Sequence, residues 1–586
     1  MKKNKIAYGF LLGIALLLTN AGNLFPQWNG NPYKNLLVCD LENEQIQPKI
    51  ASAPDGGCYI SWFDKRNGMY AVYLQKLDRN GIRQWGENGL LISNKSQDTW
   101  LTDNCLISDR DGNALLAFAD KRAGQSLGVS VYKITPQGGF AWGKDGIYLS
   151  EKRDYEYFEH SPKLVQASDG NYFAVWETIV ENDINKILVQ KLSPDGNKMF
   201  PNGNVWINGT LAGSIYARVV PSDDGSALIA FMQYSESELV KNDNMELTVQ
   251  KVSKNGYVMF PLNNDLKSGI RINNTPGIIY FIRPFLVPDN NNGAYVGWQD
   301  LRDGGLNYGS YIQHIKQDGG TTFRENGVSG VDTYGNSQLY PKIAVNKSTS
   351  EAVLFWIDNE SGEKGVNRLM CQKYDATGGR TWQSGKQVFS LPASAAIPDY
   401  ETVSGSTGIF VLIMYSDNCG SDCTIECRKI TWEGEQAWSG PVIMGGMTGK
   451  TSLEAAIGNN DMCIAAWSDK RLDNGGIYAQ NIYSNGKMGD ETNDIADYGV
   501  AVEGFGCSPN PFIISFNFKY SIKTNEIVNI SICNMLGEKI RDVFNGHQTA
   551  GDYDFNINGA GLSPGSYYII VTYGENKTIG KVMKCE

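Results

Sequence analysis

The chain has 586 residues, of which 20% are charged, and a formal net charge of −11. Apart from the first five positions it contains no cluster of lysine and arginine, which disfavours nucleic acid and anionic membrane surfaces as partners. Its 65 glycines predict many tight turns, and an odd number of cysteines, eleven, does not indicate a framework of disulfides.

The N-terminus predicts a secretory signal peptide over residues 1–21. A basic head of five residues precedes a mostly apolar stretch from Ile6 to Leu18, and small residues end at Ala21. No second apolar run is long enough to span a membrane. We therefore expect an exported protein without a transmembrane segment.

A phrase of the form Gln-Lys-Leu-x-x-x-Gly recurs, with variations, through residues 22–495. Successive copies lie 52 to 63 residues apart. A nearly constant period of this size predicts an array of one supersecondary unit. The final glycines of the copies are Gly81, Gly138, Gly196, Gly256, Gly319, Gly378, Gly434 and Gly486.

The first unit contains four segments with the alternation of apolar and polar residues that is typical of β-strands. These segments are residues 48–53, 58–62, 70–77 and 90–92, and turns rich in Gly, Asp and Asn separate them. Four antiparallel strands in each of eight units predict an all-β fold, an eight-bladed β-propeller. Closure of such a ring leaves few exposed strand edges.

A large aromatic ring stands four residues after the turn glycine in seven units. We expect these rings to pack between neighbouring blades. The residues are Trp85, Trp142, Phe200, Phe260, Phe323, Trp382 and Trp438.

The eighth unit lacks both this aromatic residue and a final apolar strand. Near the N-terminus, Trp28 followed by residues 36–38 resembles Trp85 followed by residues 90–92. We therefore predict that an N-terminal strand closes the last blade.

Aromatic residues are frequent in the segments between units, which we expect at one face of the ring. Aromatic rings at the mouth of a central channel suit stacking on sugars or anchoring a peptide. The alternative interpretation is that they fill the ring and pack the tops of the blades. The candidate ligand-binding residues are Trp100, Tyr155, His160, Tyr216, Tyr280, Tyr340 and Tyr400.

The sequence predicts no catalytic constellation, cofactor or metal site. It has three histidines, and no Ser or Cys nucleophile is matched with a His base and a carboxylate. Pairs such as Asp64 and Arg66 recur in four units. We interpret them as ion pairs that stabilise loops, with ligand contact as the alternative, because a feature copied around a ring is more often scaffold than site.

Residues 496–506 are predicted to be a linker, and residues 507–586 a small Ig-like β-sandwich of short strands and Gly turns. The segment resembles the type A C-terminal sorting domain of the type IX secretion system. An Asn-Pro-Phe start, a Leu-Gly turn, a Leu-x-x-Gly-x-Tyr strand and a basic, apolar terminus carry this resemblance. The matching residues are Asn510, Pro511, Phe512, Leu536, Gly537, Gly565, Tyr567 and Lys581.

The resemblance implies the type IX secretion machinery as a partner and delivery to the outer-membrane surface or the medium; a purely structural end module is the alternative. For the propeller, the sequence favours a non-enzymatic protein that binds an extracellular glycan or protein. An extracellular hydrolase using carboxylates at the channel mouth, or a structural surface component, remains open.

Overall fold

The computed structural model describes residues 28–584 apart from a set of short segments. The segments outside the description are 96–102, 123–125, 152–156, 181–183, 208–212, 236–244, 262–268, 274–282, 303–306, 332–334, 361–365, 383–384, 393–394, 417–421, 459, 473–474, 490–505, 509–511, 523–524, 535–538, 564 and 574–575. The predicted signal peptide lies outside the described residues, and so does nearly all of the predicted linker. The chain divides into two compact units, with the boundary between residues 490 and 491.

The first unit is all-β apart from one short 3-10 helix, Asp223–Gly225, among the described residues. Its strands are β1 (Leu36–Cys39), β2 (Gln45–Ser52), β3 (Cys58–Asp64), β4 (Ala71–Leu77), β5 (Leu90–Ser93), β6 (Asn104–Ser108), β7 (Ala114–Lys121), β8 (Leu127–Ile134), β9 (Ile147–Tyr148), β10 (Phe158–Gln166), β11 (Tyr172–Val180), β12 (Ile184–Leu192), β13 (Val205–Ile207), β14 (Gly213–Pro221), β15 (Ala227–Tyr234), β16 (Glu246–Val252), β17 (Ile270–Arg271), β18 (Phe285–Pro288), β19 (Ala294–Asp300), β20 (Gly309–Ile315), β21 (Val328–Ser329), β22 (Ser337–Val345), β23 (Ala352–Asn359), β24 (Val366–Tyr374), β25 (Lys386–Pro392), β26 (Ala396–Ser404), β27 (Ile409–Ser416), β28 (Asp422–Ile430), β29 (Val442–Ile457), β30 (Cys463–Asp469) and β31 (Gly476–Ile482).

These strands pair in antiparallel groups of four, in chain order, and one parallel bridge, Phe158 opposite Leu127, also joins β10 to β8. The groups are β2–β5, β6–β9, β10–β13, β14–β17, β18–β21, β22–β25 and β26–β29. The long strand β29 pairs with β28 through its first part and with β30 through its second, so it also begins a further group. That group continues through β31 to β1, where Leu36 lies opposite Ala479.

Neighbouring groups pack face to face. The middle strands, such as β3 and β4, are buried along their whole length because both faces of each group are covered. An apolar cluster lies between each group and the next, and one that contains Trp28, Ile464 and Trp62 joins the last group to the first. The first strands also contact one another in sequence, and β29 contacts β2.

Each repeated turn glycine packs against a repeated aromatic ring of the preceding group, and this contact leaves little room for a side chain on the glycine. Each glycine has a φ between +80° and +91°, where residues with a Cβ are disfavoured. A Cβ at Gly81 would lie 2.8 Å from the Trp28 ring, and one at Gly138 would lie 3.3 Å from the Trp85 ring. The expected packing of these rings between neighbouring groups is confirmed, and Trp28 occupies the position that the eighth repeat lacks.

The second unit consists of two sheets around one apolar core, which contains Phe516, Ile530 and Ile569. One sheet has the order β32-β33-β36 and the other β35-β34-β37-β38. Its strands are β32 (Gly506–Ser508), β33 (Ser515–Ile522), β34 (Glu526–Cys533), β35 (Lys539–Gln548), β36 (Gly551–Asn558), β37 (Gly565–Tyr573) and β38 (Asn576–Lys584).

Candidate functional site

The repeated Asp-x-Arg pairs are internal to the scaffold. Asp64 is fully buried, and it accepts hydrogen bonds from Trp62 Nε1 at 2.9 Å and from Arg66 Nε at 2.9 Å. The guanidinium of Arg66 stacks over the Tyr73 ring at 3.9 Å. Since the carboxylate is used by its own loop, this motif does not present a ligand site here.

His314 also belongs to the scaffold. Its Nε2 lies 2.8 Å from Asp289 Oδ2, in the place where Lys191 meets Asp169 at 2.6 Å. His314 thus takes the place of the lysine that, in other groups, links the third strand to the turn after the first strand.

A different position on the first strands does vary around the array. A second aromatic series recurs in the second strand of each group, at Trp62, Phe118, Trp176, Phe231, Trp298, Trp356, Tyr415 and Trp467. One first-strand residue of each group pairs with the residue immediately before this aromatic; Lys49 opposite Ser61, before Trp62, is an example. We call it the inner position. Its occupants in chain order are Lys49, Cys105, Lys163, Arg218, Phe285, Lys342, Asp399 and Glu454.

Several of these side chains form ion pairs from one first strand to the next. Lys49 Nζ lies 2.7 Å from Glu454 Oε1 and 3.5 Å from Asp103 Oδ1. Asp103 in turn pairs with Lys163 at 2.9 Å. Lys49 therefore connects its own first strand, β2, with that of the last group and with the residue immediately before the first strand of the second group.

Lys342 is the cation of a second set of contacts. Its Nζ lies 2.6 Å from Glu401 Oε1 and 3.9 Å from Asp399 Oδ1. We call the seven residues of the two sets the inner charge cluster: Lys49, Asp103, Lys163, Lys342, Asp399, Glu401 and Glu454.

Carboxylates are in excess at one end of this cluster. Burial raises the pKa of Glu401 to about 7, and the like charges of Glu454 and Asp399 add to this effect against the attraction of Lys342. Burial also raises the pKa of Asp399. A buried acid with a pKa near neutrality, beside other carboxylates, can hold a proton that it exchanges at physiological pH.

Asp103 shows the opposite behaviour. Burial would raise the pKa of its carboxyl, but Lys163 and Lys49 hold that pKa well below its usual range. The inner positions thus present a charge-compensated part around Asp103 and an acidic part around Glu401.

A basic part follows further along the array. The Arg218 side chain donates to the Ala217 carbonyl at 3.1 Å, and Arg283 lies over the Tyr216 ring at 5.3 Å. Burial lowers the pKa of Arg218, and the positive charge of Arg283 lowers it further. Neither guanidinium has a carboxylate within 4 Å among the described residues.

Two of the aromatic residues proposed from the sequence lie together. Tyr340 has a φ of 55° and is 64% exposed, and its N–H donates to Gln299 Oε1 at 2.7 Å. Tyr400 is only 1% exposed, and its hydroxyl donates to the Tyr340 carbonyl. The expectation that these rings are available at the mouth of a channel is wrong for Tyr400, whose ring belongs to the core.

His160 and Tyr216 lie at the corresponding ends of their first strands. Burial lowers the pKa of His160, against the attraction of Glu177. Tyr216 has a φ of 60°, and its N–H donates to Glu177 Oε1 at 3.0 Å. The remaining three candidates, Trp100, Tyr155 and Tyr280, lie outside the described residues.

Sequence reasoning missed the charged inner positions. A signal was present, because Lys49, Lys163 and Glu454 each precede the repeated aromatic of their unit by thirteen residues. A single charged residue in a short strand is typical of a solvated edge strand. Its repetition at one position becomes visible only when the eight units are aligned with one another.

Residues 508–585 match the family model of the secretion system C-terminal sorting domain. This domain directs the protein through the type IX system to the cell surface or the extracellular space. No helix among the described residues is long and apolar enough to cross a membrane. No curated protein matches the chain significantly.

Within the sorting domain, some motif residues have clear structural roles. Phe512 is buried against Phe516, with ring centroids 4.7 Å apart. The Tyr567 hydroxyl donates to the Ser563 carbonyl at 2.6 Å. Gly565 begins β37 and Lys581 lies in β38, whereas Asn510, Pro511, Leu536 and Gly537 lie outside the described residues.

Several solved structures are similar to part of the chain. Polysaccharide lyase Uly1 has a TM-score of 0.40 and 11% identity, covering 66% of this chain and 90% of its own. An ulvan lyase of polysaccharide lyase family PL25 has 0.39 and 11%, covering 65% and 92%. An endo-arabinase from Bacteroides thetaiotaomicron has 0.26 and 13%, covering 48% and 97%. Similarity at this level assigns no activity to this chain.

Proposed function

We propose that the first unit is an eight-bladed β-propeller, closed by its N-terminal strand, that binds an extracellular glycan or protein at the face where the first strands begin. The second unit, an Ig-like sandwich, delivers it by the type IX route. The pairing of β1 with β31 and the contact of β29 with β2 support the closed ring.

The observation that carries the binding function is the asymmetry of the inner positions. A scaffold of repeats needs the same residue in each copy, as the turn glycines illustrate. The inner positions instead place lysine or arginine in one part and carboxylates in another. Buried charges of this kind reduce stability unless they are fully compensated, so their presence favours a ligand that uses them.

Tyr340 supplies the aromatic contact. Its exposed ring stands in the first half of β22, two residues before Lys342 of the inner charge cluster. A sugar ring or an apolar side chain stacked there would bury aromatic area at little entropic expense.

A glycan-array screen of the purified protein tests this function, followed by titration calorimetry with the best ligand. We expect Tyr340→Ala to weaken binding about tenfold, since a stacked ring contributes about 1–1.5 kcal/mol. Tyr257 is the matched control, because it is 69% exposed and lies in the turn after β16, at the end of the sheet opposite to the start of its first strand. If Tyr257→Ala weakens binding as much as Tyr340→Ala, the proposed face is wrong.

A hydrolase is the second candidate function, and Glu401 favours it. A carboxyl whose pKa is raised to about 7 can act as a general acid, while a neighbouring carboxylate acts as base or nucleophile. A panel of polysaccharide and peptide substrates tests this function. Turnover by the wild type that Glu401→Gln abolishes would establish it, and turnover that survives Glu401→Gln would exclude Glu401 as the acid.

A further inference from the structure

We infer that Arg218 and Arg283 form the binding site for an acidic group of a polysaccharide, either a carboxylate or a sulfate ester. This inference rests on the proposed function, since it names the ligand class for the same face of the ring.

The placement of the two arginines is the first argument. Arg218 occupies the inner position of β14, and Arg283 lies two residues before the inner-position residue of the next first strand, β18. Strands β14 and β18 contact each other. The two cations therefore lie on, or just before, the first strands of adjacent groups, close to each other.

The second argument is that the structure describes no counterion for either arginine. Arg283 is exposed and makes no hydrogen bond or ion pair with the described residues, and Arg218 donates only to the Ala217 carbonyl among them. Every lysine at an inner position, in contrast, is paired with a carboxylate.

Asp103 and Glu177 attract Arg218 electrostatically, but neither forms an ion pair with it. Asp103 pairs with Lys49 and Lys163, and Glu177 accepts the N–H of Tyr216. Two neighbouring cations with no carboxylate within 4 Å among the described residues repel each other in the free protein, so an incoming anion gains from both. The site is a local exception in a chain whose net charge is −11.

The chemistry of the side chains selects the ligand. A guanidinium presents a planar fork of donors that matches the oxygens of a carboxylate or a sulfate. The Tyr216 ring beneath Arg283 and the exposed Tyr340 ring at the same edge offer faces for sugar rings next to the anionic group. Together these features favour an acidic glycan over an acidic peptide.

Titration calorimetry of the full chain with four polymers tests the inference. Polygalacturonate supplies carboxylates, dextran sulfate supplies sulfates, dextran is neutral, and poly-glutamate is an acidic peptide. We expect one of the two acidic glycans to bind, more weakly as salt is raised, and the tighter of the two identifies the anionic group.

Arg283→Gln is the decisive variant because its side chain is exposed and its loss does not threaten the fold. We expect it to weaken binding of the acidic glycan about tenfold, the loss typical of a hydrogen bond between charged groups. Arg218→Gln should act in the same direction, and if it fails to fold, Arg283→Gln alone decides. Lys254→Gln is the matched control, because Lys254 pairs with Asp224 near the opposite edge of the same sheet and should leave binding unchanged.

The outcomes separate this inference from the proposed function. Acidic glycan binding that Arg283→Gln leaves intact, or that Lys254→Gln reduces equally, overturns the inference. Binding of poly-glutamate alone overturns the choice of a glycan. Binding of neutral dextran alone overturns the inference but supports the proposed function. Binding of none of the polymers or array glycans overturns both the inference and the glycan form of the proposed function.

Discussion

Replacing Trp28 by alanine tests whether the N-terminal segment closes the array. The Trp28 ring is 3% exposed and packs on Gly81 of the first group, and its Nε1 donates to the Arg79 carbonyl at 3.0 Å. Burial of an aromatic ring of this size is equivalent to about 4–6 kcal/mol as an upper estimate. Measured losses for Trp→Ala in cores are about 3–5 kcal/mol, so we expect a destabilisation of about 4 kcal/mol.

Trp28→Phe is the matched control, because phenylalanine occupies the same position in three other repeats, at Phe200, Phe260 and Phe323. It keeps a ring on Gly81 and loses the hydrogen bond to Arg79, which is about 1 kcal/mol, together with the smaller part of the buried indole area.

Urea denaturation of the full chain, followed by circular dichroism, measures both variants. The transition of the first unit should shift strongly for Trp28→Ala and slightly for Trp28→Phe, while that of the sorting domain stays in place. Equal midpoints for wild type and Trp28→Ala would refute the closure argument, since a ring held shut elsewhere does not need this residue.

Three further predictions concern charge, scaffold and export. Because the pKa of Glu401 is raised from 4.5 to about 7, the folded protein keeps a proton that the unfolded chain has released, so stability should fall as pH rises through this window. Glu401→Gln should flatten that fall in urea midpoints measured across the same pH range, and an unchanged slope would contradict the assignment. Asp64→Ala should destabilise the first unit by about 3 kcal/mol in the same assay, because it leaves the half-buried Arg66 without its carboxylate; a loss well below 1 kcal/mol would mean that solvent replaces the pair. Removal of residues 508–585 should retain the protein inside the producing cell, as judged by immunoblot of cells and medium, and normal export would contradict the role of the sorting domain.

The repeat was predictable from the sequence because its residues are constrained twice. Gly81 and its counterparts need both a positive φ and the absence of a Cβ beneath a neighbouring ring. Trp62 and the tryptophans at the same position in other units occupy fully buried sites. Local backbone chemistry and packing then demand the same residue in each copy, and the pattern is visible without coordinates.

The face that a given aromatic residue presents was not predictable in the same way. Tyr340 and Tyr400 occupy similar places in consecutive units, yet one is exposed and the other buried. Tyr340 stands at an irregularity of β22, two residues before the inner position, whereas Tyr400 follows its inner position by one residue. Because strand side chains alternate, such a small difference in register moves a ring from one face to the other.

The contacts of the N-terminal segment also limit when the first unit can finish folding during synthesis. Asn35 Nδ2 donates to the Met444 carbonyl across 409 positions of sequence, and its Oδ1 accepts from Arg471. The segment that a ribosome makes early must therefore wait for a partner made shortly before the sorting domain. Contacts of such long range slow folding, because the entropy of the intervening chain is lost before they form. Synthesis of the first unit must be nearly complete before this last pairing can form.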